Sequence, residues 1–356
     1  MVSAALLDAL DRLRGTGPEF NSFLANHGPM AAEAMVQLHA ADHVPGWVDW
    51  YRTRLTPEHE VRGRLRADEW RHHLGDVRFV GDWSALFERR ITEIGWQQTI
   101  LEWWPRLLPG LSASATHGVI RTAHAVRSLR ALRPSESDEQ AVLAAELARG
   151  LALWASRYQL LPGWPGLNGM HEAVDAVAGL PRLNPDEPSV GPGVGGRLGA
   201  VVRLRGFPDA LDHWGAPADN DAALTSIVSA AARVLAARDD APIAFCHTVT
   251  APAALRLVLP ELPTELHRPT VAAGWQVVAG VISAYAAPGL ATERDHVEVD
   301  PAPLLAELGP KAVEHGDEHV IKLAEAALRE YAISGDTTLL VAADRFRGRL
   351  EPIDLG

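Results

Sequence analysis

Histidine and lysine are the side chains in this sequence with the most chemistry to offer. The 356-residue chain holds fifteen histidines, one cysteine, Cys246, and only two lysines, Lys311 and Lys322. Imidazole ligates transition metals and exchanges protons near neutral pH. A lysine amine deprived of water loses its proton and becomes a nucleophile. Five segments place a histidine among apolar or small neighbours. They are Asn26-His27-Gly28-Pro29-Met30, the stretch from Thr116-His117-Gly118 to His124, Met170-His171, Phe245-Cys246-His247-Thr248, and Asp317-Glu318-His319-Val320-Ile321-Lys322. A histidine in such a setting is most often satisfied by a backbone carbonyl, and His124 and His171 are read that way. His27, His117 and His247 share something further, because each lies at or near the start of a predicted helix. Pro29 suits a first helical turn, Thr116 can cap the helix of His117, and His247 precedes the helix of Pro252.

His319 and Lys322 form the sharpest local pair. At i and i+3 on a helix their side chains share a face. Leu323, Ala326 and Ala327 continue that face, and Glu325 and Arg329 are expected to turn outward. An inward lysine without a partner is costly as an ammonium, so it is expected as a neutral amine. Such an amine can form a Schiff base, act as a base, or add CO2 to become a carbamate, which is a carboxylate-like metal ligand. The alternative is a side chain that snorkels to water with its stem covering apolar surface.

Composition narrows the setting. The chain is 47% hydrophobic and 22% charged, as an ordinary globular protein is, and this excludes a disordered or collagen-like chain. A net charge of -12 disfavours nucleic acid and anionic membrane as partners. One cysteine excludes an intrachain disulfide and a multi-cysteine metal site. Apart from the two lysines every basic residue is arginine, a bias that matches codon pressure in a GC-rich genome. No cationic leader precedes an apolar run. The nearest approach to the roughly 18 apolar residues of a membrane span is the stretch 271–291, interrupted by Gln276 and Pro288. It reads as a core helix, and the expected location is the cytoplasm.

Period-3.6 patterning runs through most of the chain. Helices are predicted over 4–13, 31–41, 45–55, 83–104, 116–132, 139–156, 220–237, 251–259, 270–286 and 317–332. No hairpin signal occurs. The expected fold is all-α, one multihelical domain over residues 1–356 with a Pro/Gly-rich irregular region at about 180–199. Gly191-Pro-Gly193-Val-Gly195-Gly196 fits G-x-G-x-x-G by spelling alone. The preceding LNPDEPSV reads as loop rather than strand, so the segment is expected as a turn and not as a dinucleotide site. His72-His73 reads as solvated surface, and neither G-x-S-x-G nor H-E-x-x-H is present.

Four stretches together resemble the questin oxidase-like family. They are NHGPM (26–30) with VPGWVDWYRTRL (44–55), ATHGVIRTAHAV (115–126), CHTVTAPAALRLVLP (246–260) and DEHVIKLAEAAL (317–328). The family includes fungal enzymes that open the quinone ring of anthraquinones and related aromatic polyketides. A member is understood to be a non-haem iron dioxygenase, its iron held by four histidines and by a carboxylated lysine three positions after the last of them. Carried over, the resemblance implies Fe(II) bound by His27, His117, His247 and His319, with Lys322 as carbamate and the His319/Lys322 pair at the chemistry. His117 is preferred to His124 because it occupies the T-H-G position. Other relatives are described as NADPH-dependent Baeyer–Villiger-type oxidases, but no dinucleotide pattern supports NADPH here.

Four neutral imidazoles and one anionic oxygen donor suit iron, and five protein ligands leave one octahedral position for O2 or substrate. Asp317, Glu318, Thr248, Asn26 and Glu33 are candidates to orient the imidazoles. Trp47, Trp50, Trp96 and Trp103 could wall a cavity for a planar substrate. The expected partners are O2 and an aromatic small molecule, and the Ala-rich helices permit a homodimer. Two other readings stand beside the oxygenase: a helical metal-dependent hydrolase that uses the same histidines, and a non-catalytic binder of a hydrophobic small molecule.

Overall fold

A computed structural model describes residues 2–21, 23–63, 65–66, 68–133, 137–287 and 299–354. Pro288, read above as a helix breaker, lies outside them. The protein is all-α and multihelical, and among the described residues the only strands are a two-residue hairpin, β1 (Glu19–Phe20) with β2 (Leu24–Ala25). The chain divides into two compact units. One runs to Leu160 and takes in Leu257–Pro263; the other comprises Leu161–Arg256 and Thr264–Asp354.

The first unit carries α1 (Ala4–Leu13), α2 (Gly28–Gln37), α3 (Val44–Arg52), α4 (Val80–Ile94), α5 (Trp96–Leu107), α6 (His117–Arg130) and α7 (Ser137–Ser156). At its centre α6 lies along α7, with α4 on the other flank of α7. Two glycines set the spacing. A Cβ on Gly118 would stand 2.6 Å from Trp154 Cα, and one on Gly150 would stand 2.9 Å from the Thr122 amide nitrogen. The helices therefore meet backbone to backbone, and Gly118 holds the first turn of α6 against the last turns of α7. Around them Trp83, Phe87 and Trp103 make an aromatic cluster with Trp70 on its edge.

The second unit carries α8 (Ala173–Ala178), α9 (Gly193–Gly199), α10 (Phe207–Leu211), α11 (Asn220–Ala237), α12 (Pro242–Val258, to Arg256 in this unit), α13 (Thr264–Tyr285), α14 (Pro301–His315), α15 (Glu318–Ser334) and α16 (Thr337–Arg347). Helices α14, α15 and α16 pack on one another, and α16 and α13 pack on α11. Arg256 of α12 reaches Glu330 of α15 at 3.1 Å, and Arg329 donates to the Ala253 carbonyl, so α12 and α15 are clamped side by side.

Several expectations are corrected. The stretch read as one helix over 83–104 is two, because Gly95 takes φ 82° and ψ 160° and turns the chain. The helix predicted to begin at 251 begins at Pro242; Pro252 is tolerated inside it, where apolar burial on both sides outweighs a missing backbone bond. Residues 301–315 and 337–347 are helical, where the periodicity predicts no helix. The former is studded with prolines, and its start is set by the Asp300 carboxylate accepting from the Ala302 amide.

Within the irregular region, Gly193–Gly199 forms a short helix rather than a turn. It is secured by Leu198 in the core and by Arg197, whose guanidinium donates to the carbonyls of Asn184, Glu187 and Ala284. Among the described residues, Pro242–Glu261 is the helical stretch long and apolar enough to cross a membrane by composition; 78% of its apolar window is buried within the protein, which accounts for its apolarity, and the end of the stretch 271–291 lies outside the described residues.

Replacement of Gly118 by alanine is expected to destabilise the protein by about 1–3 kcal/mol, since the new methyl meets backbone. Gly46→Ala, where a Cβ meets nothing within 4 Å inside α3, should be neutral or stabilising by up to about 1 kcal/mol. Urea titration of both variants checks the contrast.

Candidate metal centre

In the first unit, His27 occupies the N-cap position of α2 and is buried. The side chain of Asn26 anchors the turn before it, donating to Thr16 Oγ1 at 3.0 Å and to the Gly17 carbonyl at 2.9 Å, and accepting from the Gly28 amide at 3.0 Å. A Cβ at Gly28 would come within 2.9 Å of a terminal methyl of Leu13, which would have to move aside. The His27 amide donates to the hydroxyl of Tyr51 at 2.8 Å, and that ring stacks on Trp47 at 4.7 Å.

His117 opens α6. The three residues before it, Ser114, Ala115 and Thr116, have φ of 49°, 53° and 74°. A left-handed residue with a Cβ costs roughly 1–2 kcal/mol, so three in succession are a concentrated strain beside a buried imidazole. The turn brings the Ser114 carbonyl onto His117 Nδ1, which donates to it. That bond fixes the proton on Nδ1 and leaves Nε2 with its lone pair. His117 Nε2 faces His27 Nε2 at 2.5 Å, with the rings tilted by 55°. Two imidazole lone pairs brought this close repel unless a proton or a cation lies between them. Thr116 sits at the N-cap position, but its side chain makes no cap bond.

In the second unit, His247 lies inside α12, one and a half turns from Pro242, and not at a helix start as expected. His319 is in the first turn of α15. Asp317 caps that helix, its Oδ1 accepting from the amides of His319 at 2.8 Å and Val320 at 3.2 Å, and it stands 3.5 Å from His319 Nδ1. Burial alone would raise the Asp317 pKa, but these bonds and the nearby imidazole bring it down to about 2. The rings of His247 and His319 meet edge to face at 5.7 Å. Cys246 Sγ lies 4.0 Å from the His319 carbonyl, and burial pushes its thiol up to about 12, so it is an inert core thiol.

Lys322 is 2% exposed, and among the described residues its Nζ has no hydrogen-bond partner. It does not snorkel. Burial lowers its pKa, against the opposing influence of Cys246, Glu318 and Asp317. The other lysine, Lys311, is exposed and paired with Glu307. An amine shut away from water one turn after a histidine fits a neutral nucleophile or a carbamate far better than a structural cation.

The supporting residues sort differently from expectation. Glu33 pairs with His124 at 2.8 Å and with Arg127, and Thr248 Oγ1 donates to the Phe245 carbonyl at 2.7 Å. Asn26 acts on the backbone next to His27. Glu325 is buried and accepts from Arg329 at 3.0 Å, so it does not turn outward. Of the four tryptophans expected to wall a cavity, Trp47, Trp96 and Trp103 are core and Trp50 is partly exposed. His171 and His72 are exposed. The Ser114 carbonyl and the Tyr51 hydroxyl were not foreseen: a backbone acceptor leaves no mark in sequence, and no glycine announced the left-handed turn.

No protein-family model matches the chain, and no curated protein matches it.

Burial raises the pKa of Glu33, but Arg127 and His124 outweigh it, and the net position is below the ordinary 4.5. Its contribution to stability is therefore present above that value and lost as pH falls through the folded-state pKa. Glu33→Gln is expected to cost about 3–5 kcal/mol near neutral pH by stranding Arg127. The difference from wild type should shrink on acidification, which melts recorded at pH 7 and in acid will show.

Proposed function

We propose that this protein is a metal-dependent oxygenase, with iron as the metal, that cleaves a C–C bond of an aromatic polyketide with an anthraquinone-like ring. The observation that carries the reading is Lys322, an amine buried without a hydrogen-bond partner among the described residues, one turn after His319, whose ring meets that of His247. The His27–His117 pair, with facing Nε2 atoms, supports it. His27, His117, His247 and His319 would serve as imidazole ligands, and Lys322, once carboxylated, as the anionic oxygen donor.

The donor set fits the group. Imidazole nitrogen with one carboxylate-like oxygen suits Fe(II), and the same set admits other divalent transition metals. A redox-active metal bound there supplies the capacity to activate O2 or a bound enolate-type substrate. The chain's own residues supply the rest. The Ser114 carbonyl holds the His117 proton on Nδ1, Asp317 orients His319, and apolar packing around Lys322 keeps water from the amine. O2 and the aromatic substrate are the proposed partners.

Metal analysis of purified protein tests this directly. One transition-metal ion per chain is expected, with iron as the metal that supports turnover. His27→Ala and His319→Ala should each abolish its retention, showing that residues of both clusters act on the same ion. Lys322→Glu, which supplies a carboxylate, should keep more metal than Lys322→Ala. Protein that holds no transition metal, or His319→Ala with unchanged content, rules the reading out. Turnover that persists without O2 would instead indicate a metal-dependent hydrolase.

A further inference from the structure

We propose that the left-handed turn Ser114-Ala115-Thr116 is a positioning device that fixes the tautomer of His117, with the Ser114 carbonyl as the residue-level agent. The inference rests on the metal-centre reading for its purpose, but not for its geometry. A right-handed or extended approach to α6 would carry the chain on past the imidazole. Three residues in the left-handed region fold it back, so that a carbonyl three positions before His117 meets Nδ1 of the same residue. The imidazole then presents an unprotonated Nε2, the only form that can bind a cation through that atom.

Strained backbone persists only where its surroundings over-determine it, and they do here. Ser112 Oγ donates to the Gln159 carbonyl at 2.8 Å. Ser114 Oγ lies 3.4 Å from Glu19, itself held by the Arg157 guanidinium. The Gly110 carbonyl accepts from Trp154 Nε1 at 3.1 Å, and Gly118 is pressed on the Trp154 backbone. The turn is thus clamped before it begins, along its length and after it ends. Ala115, fully left-handed at φ 53° and ψ 42°, has no glycine to ease it. A connection that only had to join two helices would gain by having one.

The test uses full-length protein labelled with 15N-histidine and stripped of metal. Long-range 1H–15N correlation spectra report the tautomer, with the His117 signals assigned by their loss in His117→Gln. Wild type is expected to show His117 protonated on Nδ1. Ala115→Gly, which tolerates positive φ, should keep that tautomer and raise the melting temperature. Ala115→Val, which opposes it, should shift His117 toward the Nε2-protonated form and weaken Zn(II) binding by about 10-fold or more.

An Nε2-protonated His117 in wild type, or an unchanged tautomer in a folded Ala115→Val, overturns the proposal. If Ala115→Val does not fold, the wild-type tautomer decides, together with the sign of the Ala115→Gly melting shift; a fall in melting temperature counts against strain at this turn. If neither wild type nor Ala115→Gly binds Zn(II) while the tautomer pattern holds, the metal reading fails and the turn's action on His117 stands.

Discussion

The cost of taking charge and polarity out of water governs how both units are built. Each unit pairs its buried carboxylates with buried or half-buried guanidiniums in the same manner. Arg121 meets Glu146, Arg127 meets Glu33, and Arg157 meets Glu19 in the first; Arg256 meets Glu330 and Arg329 meets Glu325 in the second. A guanidinium offers a planar fork that a carboxylate can satisfy with two bonds, and several of these contacts are bidentate. Against that regularity Lys322 is the exception: among the described residues its amine has no carboxylate in reach of a hydrogen bond, in a protein that otherwise uses arginine for its buried cations.

The imidazoles show how secondary structure can hold a ligand still. All four candidate ligands are backed by a helix, but by different means. His27 is fixed through its backbone, by the Tyr51 hydroxyl and the Asn26-anchored turn. His117 is fixed through its ring, by a carbonyl that strained residues deliver. His319 sits over a carboxylate that also caps its helix, so one group serves helix stability and imidazole orientation together. His247 is buried within α12, and its ring meets that of His319 edge to face. Rigid elements with packed rotamers make better ligand supports than loops do, because small displacements cost affinity steeply.

The helices legible in sequence were those whose own patterning carried the signal. Ala4–Leu13 and Asn220–Ala237 were read to the residue, since a regular apolar stripe and a clear start and stop bound each. The helix at Pro301–His315 was hidden by its prolines: Pro301 and Pro303 lie in the first turn, where amides have no helical partner anyway, and Pro310 stands inside the helix. Gly95 was read as an interior residue and is instead a break, because periodicity continued across it while the backbone turned. At the site, residue types were legible and roles were not. Glu33, a candidate to orient an imidazole ligand, has its carboxylate committed to Arg127 and His124 from α6, a pairing between helices far apart in the chain.

By itself the sequence determined the helical class, the histidine-bearing segments and the placement of one of two lysines three residues after a histidine. Those properties follow from local periodicity and from the identity of single residues. Tertiary structure alone decided that the Lys322 amine is sealed from water, that His117 and His27 present the same ring nitrogen to each other, and that Ser114 supplies the bond fixing one of those rings. Each depends on segments distant in sequence packing to within a few ångströms, or on a backbone conformation that no residue in the turn announces. Burial and tautomer are properties of surroundings, and surroundings exist only once the chain has folded.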